Sequence, residues 1–439
     1  MIISNAYKAY MYSYPHKTAY GKLDNLNLFD YLDPADGLDI YVHIPFCKSK
    51  CGYCNLFSIA GCAESEIDRY LDAIEMQIGQ TNLNSANIRN ITIGGGTPMA
   101  LSVKQLDRLF RMIPNAKSAS VCIETSPNET TADKLEILKS FRVSRVSIGI
   151  QSFLDDELAV LYRTHFSYSA HRALTFLRDY CFPTVNVDLI YGIPGQNEES
   201  LEISLDQALS YAPEEIFLYP LYIRAGTRLF GACPNPKAYE LYGYGRDFLL
   251  NRGYVQISMR RFAKRQQLPL IENSALQESL STRSVPQNTL DCGFERVLSL
   301  GCGGRSYLGD LHFCRPYAVG EPQCSRIISD YINTPDHTKI SHGIILTLDE
   351  HKRRYVIKNI LHTRGLFRSS YRETFDSCVL DDFMLLYDLE KWGYATLAED
   401  RIRLTQLGLS FSDAIGPMLI SPNILSRTGG RSGFQPSVT

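Results

Sequence analysis

The sequence has no uninterrupted apolar run of about 18 residues, the minimum for a membrane-spanning helix. The N-terminal segment MIISNAYKAYMYSYPHKTAY also lacks an apolar core followed by small residues, which is the pattern of a secretory signal peptide. The 12 cysteines are scattered and show no repeated spacing of the kind found in disulfide frameworks. We therefore expect a cytoplasmic protein with reduced thiols and no membrane span.

A strong net charge is also missing. The chain has 45 Lys and Arg against 47 Asp and Glu, for a net charge of −2, and it contains no long basic run. Because nucleic-acid-binding proteins carry a basic patch or stripe, we expect no nucleic-acid partner. With 439 residues and 44% hydrophobic content, the chain is long enough for two or three domains with a substantial core.

Short β-rich runs alternate with helix-length segments from about residue 38 to residue 228. The segments between the runs place apolar residues at helical spacing, as in SEIDRYLDAIEMQI. This alternation predicts an α/β fold with a parallel sheet, doubly wound or curved into a barrel, whose ligand lies at the carboxyl ends of the strands. The runs are LDIYVHIPF, NITIGGG, SASVCIETSP, VSRVSIGIQSF, TVNVDLIYGIP and EEIFLYPLYI.

The change of pattern along the chain predicts the domain organisation. We expect an N-terminal arm over residues 1–37, a barrel-like domain over 38–228, and a connecting region over 229–340 that completes the site. Residues 341–420 have the helices and small hairpin of an α+β module, a shape common in winged-helix modules. Residues 421–439 are polar and glycine-rich, which favours a disordered tail.

Cys47, Cys51 and Cys54 form a C-x3-C-x2-C pattern in YVHIPFCKSKCGYCNLFS. Three closely spaced thiolates can bind three irons of a [4Fe–4S] cluster, because soft sulfur ligands suit iron. The fourth iron then keeps an open position that another ligand can fill. Zinc is the alternative, but it needs four protein ligands, or three and a water. No fourth Cys or His follows at zinc-finger spacing.

Further motifs follow the triad at the predicted strand ends, among them GGGTP, CIETSPNE and GIQSF. Together they resemble the radical S-adenosylmethionine (SAM) superfamily and, within it, the HemN-like group typified by anaerobic coproporphyrinogen III oxidase. The segments YPHKTAY, CNLF and SDAIG resemble a branch whose substrate is unassigned. The resemblance implies a partial (β/α)6 TIM-like barrel with an N-terminal arm and an α+β C-terminal accessory module.

The same resemblance implies the cofactors. SAM would occupy the open iron position, and an electron from the reduced cluster would cleave it to methionine and a 5′-deoxyadenosyl radical. We expect two SAM molecules, as in the oxidase. A reductase or a flavodoxin-type protein would supply the electron, and the protein itself would be a monomer.

The resemblance also implies the residues that contact SAM. Gly95, Gly96 and Thr97 match the glycine motif, whose backbone approaches the SAM amino group, and Glu124 matches a residue that hydrogen-bonds the ribose hydroxyls. For each of these residues taken singly, an ordinary structural role is the alternative interpretation. The other implied positions are Tyr41 and Tyr53, beside the first SAM and the cluster, and Gln151, Arg163 and Asp188, around a second SAM.

The N-terminal arm resembles a Tyr-Pro segment of the oxidase that folds over the barrel mouth, where an arm can exclude water and oxygen. Its Tyr12, Tyr14, His16 and Lys17 are candidate substrate contacts, or else they anchor the arm by packing. Arg305, in GCGGRSYLGDLHF, stands where the oxidase has an apolar residue. An arginine there can bind a substrate carboxylate or an internal acid.

Two departures from the family pattern narrow the range of reactions that we expect. No fourth cysteine follows the triad, unlike in the oxidase, and DCGFERVLSLGCGG lacks the H-N-x-x-Y-W motif of the haem-chaperone branch. We expect an enzyme that modifies a small organic or tetrapyrrole substrate. Methyl or methylene transfer from a second SAM, as in methylation or cyclopropanation, is placed ahead of oxidative decarboxylation. A haem-binding chaperone with little SAM turnover is the further alternative.

Overall fold

The structure is a computed structural model that describes residues 3, 5–11, 13–32, 37–265 and 296–428. Tyr12, one of the candidate substrate contacts, lies outside the described residues, as do residues 266–295 of the connecting region and residues 429–439 of the expected tail. In the described part of the chain, no helix is both long enough and apolar enough to cross a membrane.

The centre of the protein is a sheet of 13 strands. Two further strands, β3 and β4, form a separate two-stranded sheet. Strands β1 to β15 are Gly21–Asn27, Leu38–Ile44, Phe46–Cys47, Ile59–Ala60, Ile88–Gly95, Ser120–Thr125, Arg145–Gln151, Thr184–Tyr191, Glu215–Pro220, Tyr254–Gln256, Arg261–Lys264, Val297–Leu300, Arg305–Leu308, Leu311–Cys314 and Lys339–Ile345.

Six parallel strands, β2, β5, β6, β7, β8 and β9, are neighbours in chain order. The sheet stays open, because β9 pairs with the antiparallel β11 and β2 pairs with β12. This confirms the predicted partial barrel. The helices between and after the six strands, α1 to α7, are Glu64–Gln80, Val103–Met112, Ala132–Ser140, Asp155–Val160, Ser167–Asp179, Glu198–Leu209 and Ala238–Asn251.

Local sequence explains where these helices begin. α2 starts with a capping box in which the Ser102 side chain accepts from the Gln105 N–H and the Gln105 side chain accepts from the Ser102 N–H. Asn197 and Ser200 form the same reciprocal pair at the start of α6. Such a box satisfies two backbone N–H groups that have no partner within the helix. The predicted apolar face of α1 is buried against the sheet.

The sheet extends beyond the six units on the side of β2. Strand β12 runs parallel to β2, and β13, β14 and β15 follow it as antiparallel neighbours. The outermost strand, β1, comes from the N-terminal arm and pairs with β15. The arm is therefore partly built into the main sheet.

The C-terminal part has its own hydrophobic core, which also takes in apolar residues of the arm. Its three-stranded sheet consists of β16 (Leu366–Phe367), β17 (Ala395–Leu397) and β18 (Arg401–Leu404). The helices from residue 321 onwards are Glu321–Ile332, Leu348–Ile360, Arg368–Phe375, Val379–Asp382, Leu385–Lys391, Gln406–Ser410, Ser412–Met418 and Pro422–Arg427.

The last of these helices corrects one expectation. Residues 421–428 were included in a disordered tail, but Pro422–Arg427 is helical, and the Ser421 side chain accepts a hydrogen bond from the Ile424 N–H, 3.1 Å away. Ile424 is buried in the C-terminal core, which stabilises the segment despite its polar composition. The expectation of a disordered tail stays a prediction for residues 429–439 alone.

Candidate active site

A cavity of about 1740 Å³ lies at the carboxyl ends of the six parallel strands. Its walls also include residues of the arm, the loop after β9 and Phe411 of the C-terminal part. Of the residues expected in the site that the structure describes, Gly95 and Tyr14 do not line it. The expected residues that line it are Tyr41, Cys47, Cys51, Tyr53, Cys54, Gly96, Thr97, Glu124, Gln151, Arg163, Asp188, His16, Lys17 and Arg305.

The cysteine loop lies between β3 and β4, which pair in parallel and bring the two ends of the loop together. A turn links Cys51 to Cys54, whose N–H donates to the Cys51 carbonyl at 3.2 Å. All three thiols are free of disulfide bonds. Burial raises the pKa of Cys47 to about 12 and raises that of Cys54, so iron binding must displace protons that the buried loop holds firmly.

The arrangement of the loop fits a cluster better than a single metal ion. Among the residues that the structure describes, no group of three His, Cys, Asp or Glu side chains could hold one ion. In a cubane cluster each thiolate binds a different iron, so the sulfur atoms do not need to converge on one point.

The glycine motif makes room for the loop. A Cβ atom on Gly96 would lie 2.9 Å from the Cys47 sulfur and 2.8 Å from the Phe46 carbonyl oxygen. Next to it, the Thr97 hydroxyl lies 3.5 Å from the Cys47 sulfur. The segment that follows β5 therefore packs directly against Cys47, and a residue larger than glycine does not fit at position 96.

Glu124 is held against the same motif from the end of β6. The Gly95 N–H donates to the Glu124 carboxylate at 3.2 Å, and a Cβ atom on Gly94 would lie 3.0 Å from that carboxylate. Burial, with a smaller contribution from the nearby Asp188 carboxylate, raises the pKa of Glu124 to about 7. Gly95, which does not line the cavity, therefore contributes its N–H to holding the Glu124 carboxylate in place.

Gln151, Arg163 and Asp188 meet beside the cysteine loop. Arg163 donates one hydrogen bond to the Cys51 sulfur at 3.1 Å and another to the Gly149 carbonyl. Gly149 pairs with Asp188 across β7 and β8, and a Cβ atom on Gly149 would lie 2.8 Å from the Gln151 amide nitrogen. Burial raises the pKa of Asp188 to about 6.

Tyr41 forms the opposite wall with the glycine loop that joins β12 and β13. A Cβ atom on Gly304 would lie 2.7 Å from the Tyr41 ring, and one on Gly303 would lie 2.6 Å from the His43 ring. The loop can approach these rings closely because it lacks side chains. Tyr53, on the cysteine loop, also faces the cavity, and burial raises its pKa.

Tyr14 is buried and does not line the cavity. Its hydroxyl donates to the Glu350 carboxylate and accepts from the Ser421 N–H at 3.2 Å, and its ring is buried in the C-terminal core. Arg354 adds a hydrogen bond to the Tyr14 carbonyl at 2.6 Å. The alternative interpretation is therefore correct for this residue, because Tyr14 anchors the arm to the C-terminal helices.

His16 and Lys17 face the cavity together with Arg305 and Arg224. Burial, together with the positive charges of Arg305 and Arg224, lowers the pKa of Lys17 to about 6. Burial and Arg305 likewise lower the pKa of His16 to about 3. Arg305 also donates to the Ser13 hydroxyl at 2.6 Å. We call Lys17, Arg224 and Arg305 the cationic cluster.

Arg224 and Tyr219 are among the cavity residues that the sequence analysis did not single out. Arg224 lies in the loop after β9, in a segment without a recognisable motif. Tyr219 lies on β9 itself, where alternate side chains are buried. The alternation in EIFLYP could have identified Tyr219 as an inward-facing residue, but nothing local distinguishes Arg224 from a surface arginine.

Comparison with known proteins agrees with this geometry. The family model for the radical SAM superfamily matches residues 41–208. The heme chaperone HemW of Bacillus subtilis (strain 168) is 32% identical over 388 residues, which cover 84% of this chain and 95% of that protein. The chain belongs to the radical SAM superfamily, within the group of HemN and HemW.

Oxidases of this group are also similar to the chain. The oxygen-independent coproporphyrinogen III oxidase of Escherichia coli (strain K12) is 28% identical over 395 residues, or 85% of this chain and 83% of that protein. The solved structure of coproporphyrinogen III oxidase (HemN) from Escherichia coli aligns with a TM-score of 0.71 at 25% identity, covering 88% of this chain and 92% of that one.

Membership of the superfamily establishes the cofactors as a [4Fe–4S] cluster and SAM. It also establishes the HemN-type fold for nearly the whole described chain. The relatives compared above carry the names of an oxidase or a heme chaperone. The expectation of methyl or methylene transfer therefore receives no support from them.

Proposed function

We propose that the protein is a HemN-type enzyme that uses its cluster and SAM to oxidise a carboxylate-bearing tetrapyrrole. The observation that carries this proposal is the cationic cluster in the cavity that also contains the three cysteines. The positive charges of Arg224 and Arg305 disfavour the charged form of Lys17, and a substrate carboxylate bound between them removes that penalty. Arg305 can bind such a group through two hydrogen bonds.

The size of the cavity supports a large substrate. A volume of about 1740 Å³ exceeds that of ordinary small-ligand pockets, so it can hold SAM together with a macrocycle. Aromatic side chains make part of the wall, including Tyr219, Tyr222 and Phe230. Such rings suit the flat apolar part of a tetrapyrrole, while the cationic cluster suits its acidic side chains.

In the proposed reaction, different residues of the site would bind the cluster and SAM. Cys47, Cys51 and Cys54 would hold the cluster, which with SAM supplies a carbon radical that removes hydrogen from the substrate. Glu124 and the glycine motif would bind the SAM nearest the cluster, together with Tyr41. The other proposed SAM contacts are Tyr53, beside the cluster, and Gln151, Arg163 and Asp188, around a second SAM.

Oxidative decarboxylation is the proposed reaction type. The oxidase of Escherichia coli is similar over most of both chains. In this reaction one hydrogen atom would pass from an acidic side chain to the 5′-deoxyadenosyl radical, and a carboxylate held at the cationic cluster would then leave as carbon dioxide. The remaining unpaired electron would pass to an external one-electron acceptor, which leaves a carbon–carbon double bond. An external protein would have to deliver the electron that reduces the cluster. The arm would cover the reaction from water, with Tyr14 anchoring it.

The test uses protein purified and reconstituted without oxygen, with coproporphyrinogen III, SAM and dithionite. We expect carbon dioxide and 5′-deoxyadenosine in the wild type. Lys17→Met and Arg305→Met should lower the substrate-dependent rate at least about tenfold while retaining iron, because each removes a charged hydrogen-bond donor. Lys104→Met, at the exposed start of α2, is the control.

The tetramethyl ester of coproporphyrinogen III tests whether the protein recognises the carboxylates of the substrate or the shape of its macrocycle. It keeps the macrocycle but removes the carboxylates, so it should not support product formation in the wild type. Equal activity with acid and ester would contradict the role of the cationic cluster. Formation of S-adenosylhomocysteine instead of carbon dioxide would show that the reaction is methyl transfer.

A heme-binding chaperone is a second candidate, favoured by the 32% identity to HemW of Bacillus subtilis over 84% of the chain. Among the described residues, His16 and His165 line the cavity and would be the candidate imidazole ligands for haem. Titration of the protein with haem and recording of the Soret band would test this function. Tight haem binding without SAM cleavage would favour the chaperone over the enzyme.

A further inference from the structure

The segment that follows β14 contacts both the arm and the cysteine loop through one side chain, Tyr317. The Tyr317 hydroxyl donates to the Asn55 carbonyl at 2.8 Å, and Asn55 directly follows Cys54. On the face of the same ring lies the Lys17 ammonium, 2.5 Å from the ring centroid. Tyr317 and Lys17 both line the cavity. One tyrosine therefore connects a member of the cationic cluster to the loop that carries the three cysteines.

A second contact fixes the same segment to the cysteine loop. Lys50, which lies between the first two cysteines, donates to the Val319 carbonyl at 2.7 Å and to the Ser58 carbonyl at 3.0 Å. The Ser58 hydroxyl lies 3.8 Å from the Cys54 sulfur. Because the segment is bonded to the loop at two points, the Tyr317 ring keeps a fixed position relative to the cysteines.

The ring offers Lys17 an attraction that its charged neighbours do not. Arg224 and Arg305 are positive and repel an ammonium group beside them. The face of an aromatic ring is the negative end of its quadrupole, and it attracts a cation that lies over it, most strongly where water is excluded. The Tyr317 ring therefore holds the Lys17 ammonium within the cationic cluster, at a position that depends on the cysteine loop.

Packing against a neighbour accounts for only part of the Tyr317 side chain. Its ring packs against the fully buried Phe57, with ring centroids 5.8 Å apart. A phenylalanine at position 317 would keep that contact. The hydrogen bond to the Asn55 carbonyl and the Lys17 ammonium over the ring face are additional contacts. Each of them is directed at a different part of the site, which is the arrangement expected of a residue that links the two.

We infer that Tyr317 is a positioning residue that fixes the distance between the substrate carboxylate, bound at Lys17, and the [4Fe–4S] cluster. This inference rests on the proposed function, in which Lys17 binds a carboxylate of the substrate. Tyr317 would act through Lys17 and Asn55 rather than on the reacting atoms. Because a misplacement of about 1 Å can slow a reaction about a hundredfold, a rigid link between the substrate anchor and the cysteine loop affects the rate directly.

Two substitutions separate the ring of Tyr317 from its hydroxyl. Tyr317→Phe keeps the ring face for Lys17 but removes the hydrogen bond to Asn55, and Tyr317→Leu removes both. The control for the first is Tyr254→Phe, which removes a hydroxyl that donates to a backbone carbonyl away from the cavity. The control for the second is Tyr387→Leu, at an exposed position of the C-terminal part. All measurements use the full chain reconstituted without oxygen.

The first measurement is the affinity for coproporphyrin III, a stable tetracarboxylate whose fluorescence reports binding without turnover. Tyr317→Leu should weaken binding about tenfold, whereas Tyr317→Phe should bind like the wild type. Adding Tyr317→Leu to Lys17→Met should cause no further loss, because Tyr317 acts through Lys17. Equal affinity in wild type and Tyr317→Leu, or losses that multiply in the double variant, would overturn the inference.

The second measurement is the ratio of 5′-deoxyadenosine to carbon dioxide formed from coproporphyrinogen III, SAM and dithionite. Tyr317→Phe should bind the substrate normally but raise this ratio at least about threefold, because the cysteine loop is no longer held at a fixed distance from Lys17. A purely structural role would instead lower both products together. The same ratio in wild type, Tyr254→Phe and Tyr317→Phe would contradict the positioning role.

The third measurement needs no substrate. Reductive methylation of the lysines, followed by mass spectrometry of peptides, reports how firmly the Lys17 amine is held. In Tyr317→Leu the methylation rate of Lys17 should rise at least about threefold relative to that of the exposed Lys104 in the same protein. An unchanged rate would overturn the inference. Faster methylation of Lys17 in Tyr317→Leu, in a protein whose wild type binds no porphyrin, would confirm the contact between the two residues and contradict the proposed function instead.

Discussion

Gly96 and Cys47 are packed so closely that a single methyl group on Gly96 would lie 2.9 Å from the Cys47 sulfur. Real Cβ atoms do not approach sulfur or carbonyl oxygen that closely, so the cysteine loop would have to move. Gly96→Ala should therefore impair cluster assembly while leaving most of the fold intact. Iron and sulfide content per chain after anaerobic reconstitution measures this effect.

The matched control for this change is Gly79→Ala. Gly79 lies inside α1, with no atom within 4 Å of the added methyl group, so alanine should be tolerated or slightly stabilising there. We expect normal iron content in Gly79→Ala and at most about half in Gly96→Ala. Full cluster occupancy in Gly96→Ala would show that the loop adapts and that the close packing is not needed.

Cys51→Ala tests the cluster ligands directly. Loss of one of three thiolates should remove the brown chromophore and all SAM cleavage, because an iron loses its only protein ligand. Cys181→Ala is the control, since Cys181 is an exposed thiol at the end of α5. Surviving cleavage in Cys51→Ala would remove this loop from the site.

Asp188→Asn separates SAM binding from cluster binding. Asp188 accepts a hydrogen bond from Asn186 at 2.7 Å and makes no contact with the cysteines, so iron content should be unchanged. SAM affinity, measured by equilibrium dialysis, should fall about tenfold, as expected for the loss of one charged hydrogen bond. Asp179→Asn, on the exposed end of α5, should bind SAM normally. Unchanged affinity in Asp188→Asn would place this carboxylate outside the SAM site.

The parts of the fold that the sequence predicts are those with long, regular patterns. The six parallel strands and the helices between them carry apolar residues with period two or near four over many residues, and all six strands were predicted. Strand β12 has only four residues, which is too short to show a period. Strand β1 pairs with β15 more than 300 residues away, and no local pattern reveals such a partner.

The residues of the candidate site likewise divide into those that the sequence predicts and those that it does not. Its strand-end residues could be named because parallel strands bring their carboxyl ends to one edge. The sequence left open whether Tyr14 contacts substrate or anchors the arm, because its neighbours His16 and Lys17 face the cavity, whereas its own partner, Glu350, lies 336 residues away. Arg224 was missed for a related reason, since only the folded chain brings it near Lys17 and Arg305.

Tyr14→Phe tests the anchoring of the arm. The change removes the hydrogen bonds of the hydroxyl to Glu350 and Ser421, and it leaves a buried carboxylate with one partner fewer. The free energy of unfolding should fall by about 1–3 kcal/mol. SAM cleavage without substrate oxidation should also increase, because a loosened arm admits water. Tyr387→Phe, at an exposed position, should change neither quantity, and a Tyr14→Phe protein with normal stability would contradict the anchoring role.

The raised pKa of Glu124 predicts how the free energy of unfolding depends on pH in the absence of SAM. Burial raises its pKa from about 4.5 to about 7 in the folded protein. The folded state then binds more protons than the unfolded state between these values, so the free energy of unfolding should decrease as the pH rises from about 4.5 to about 7. Glu124→Gln should make this decrease shallower, although Asp188, whose pKa is raised to about 6, still contributes. Thermal unfolding of wild type, Glu124→Gln and the surface control Glu399→Gln across this pH range provides the measurement. A slope that is the same in all three proteins would show that the Glu124 carboxyl ionises as freely in the cavity as in the unfolded chain.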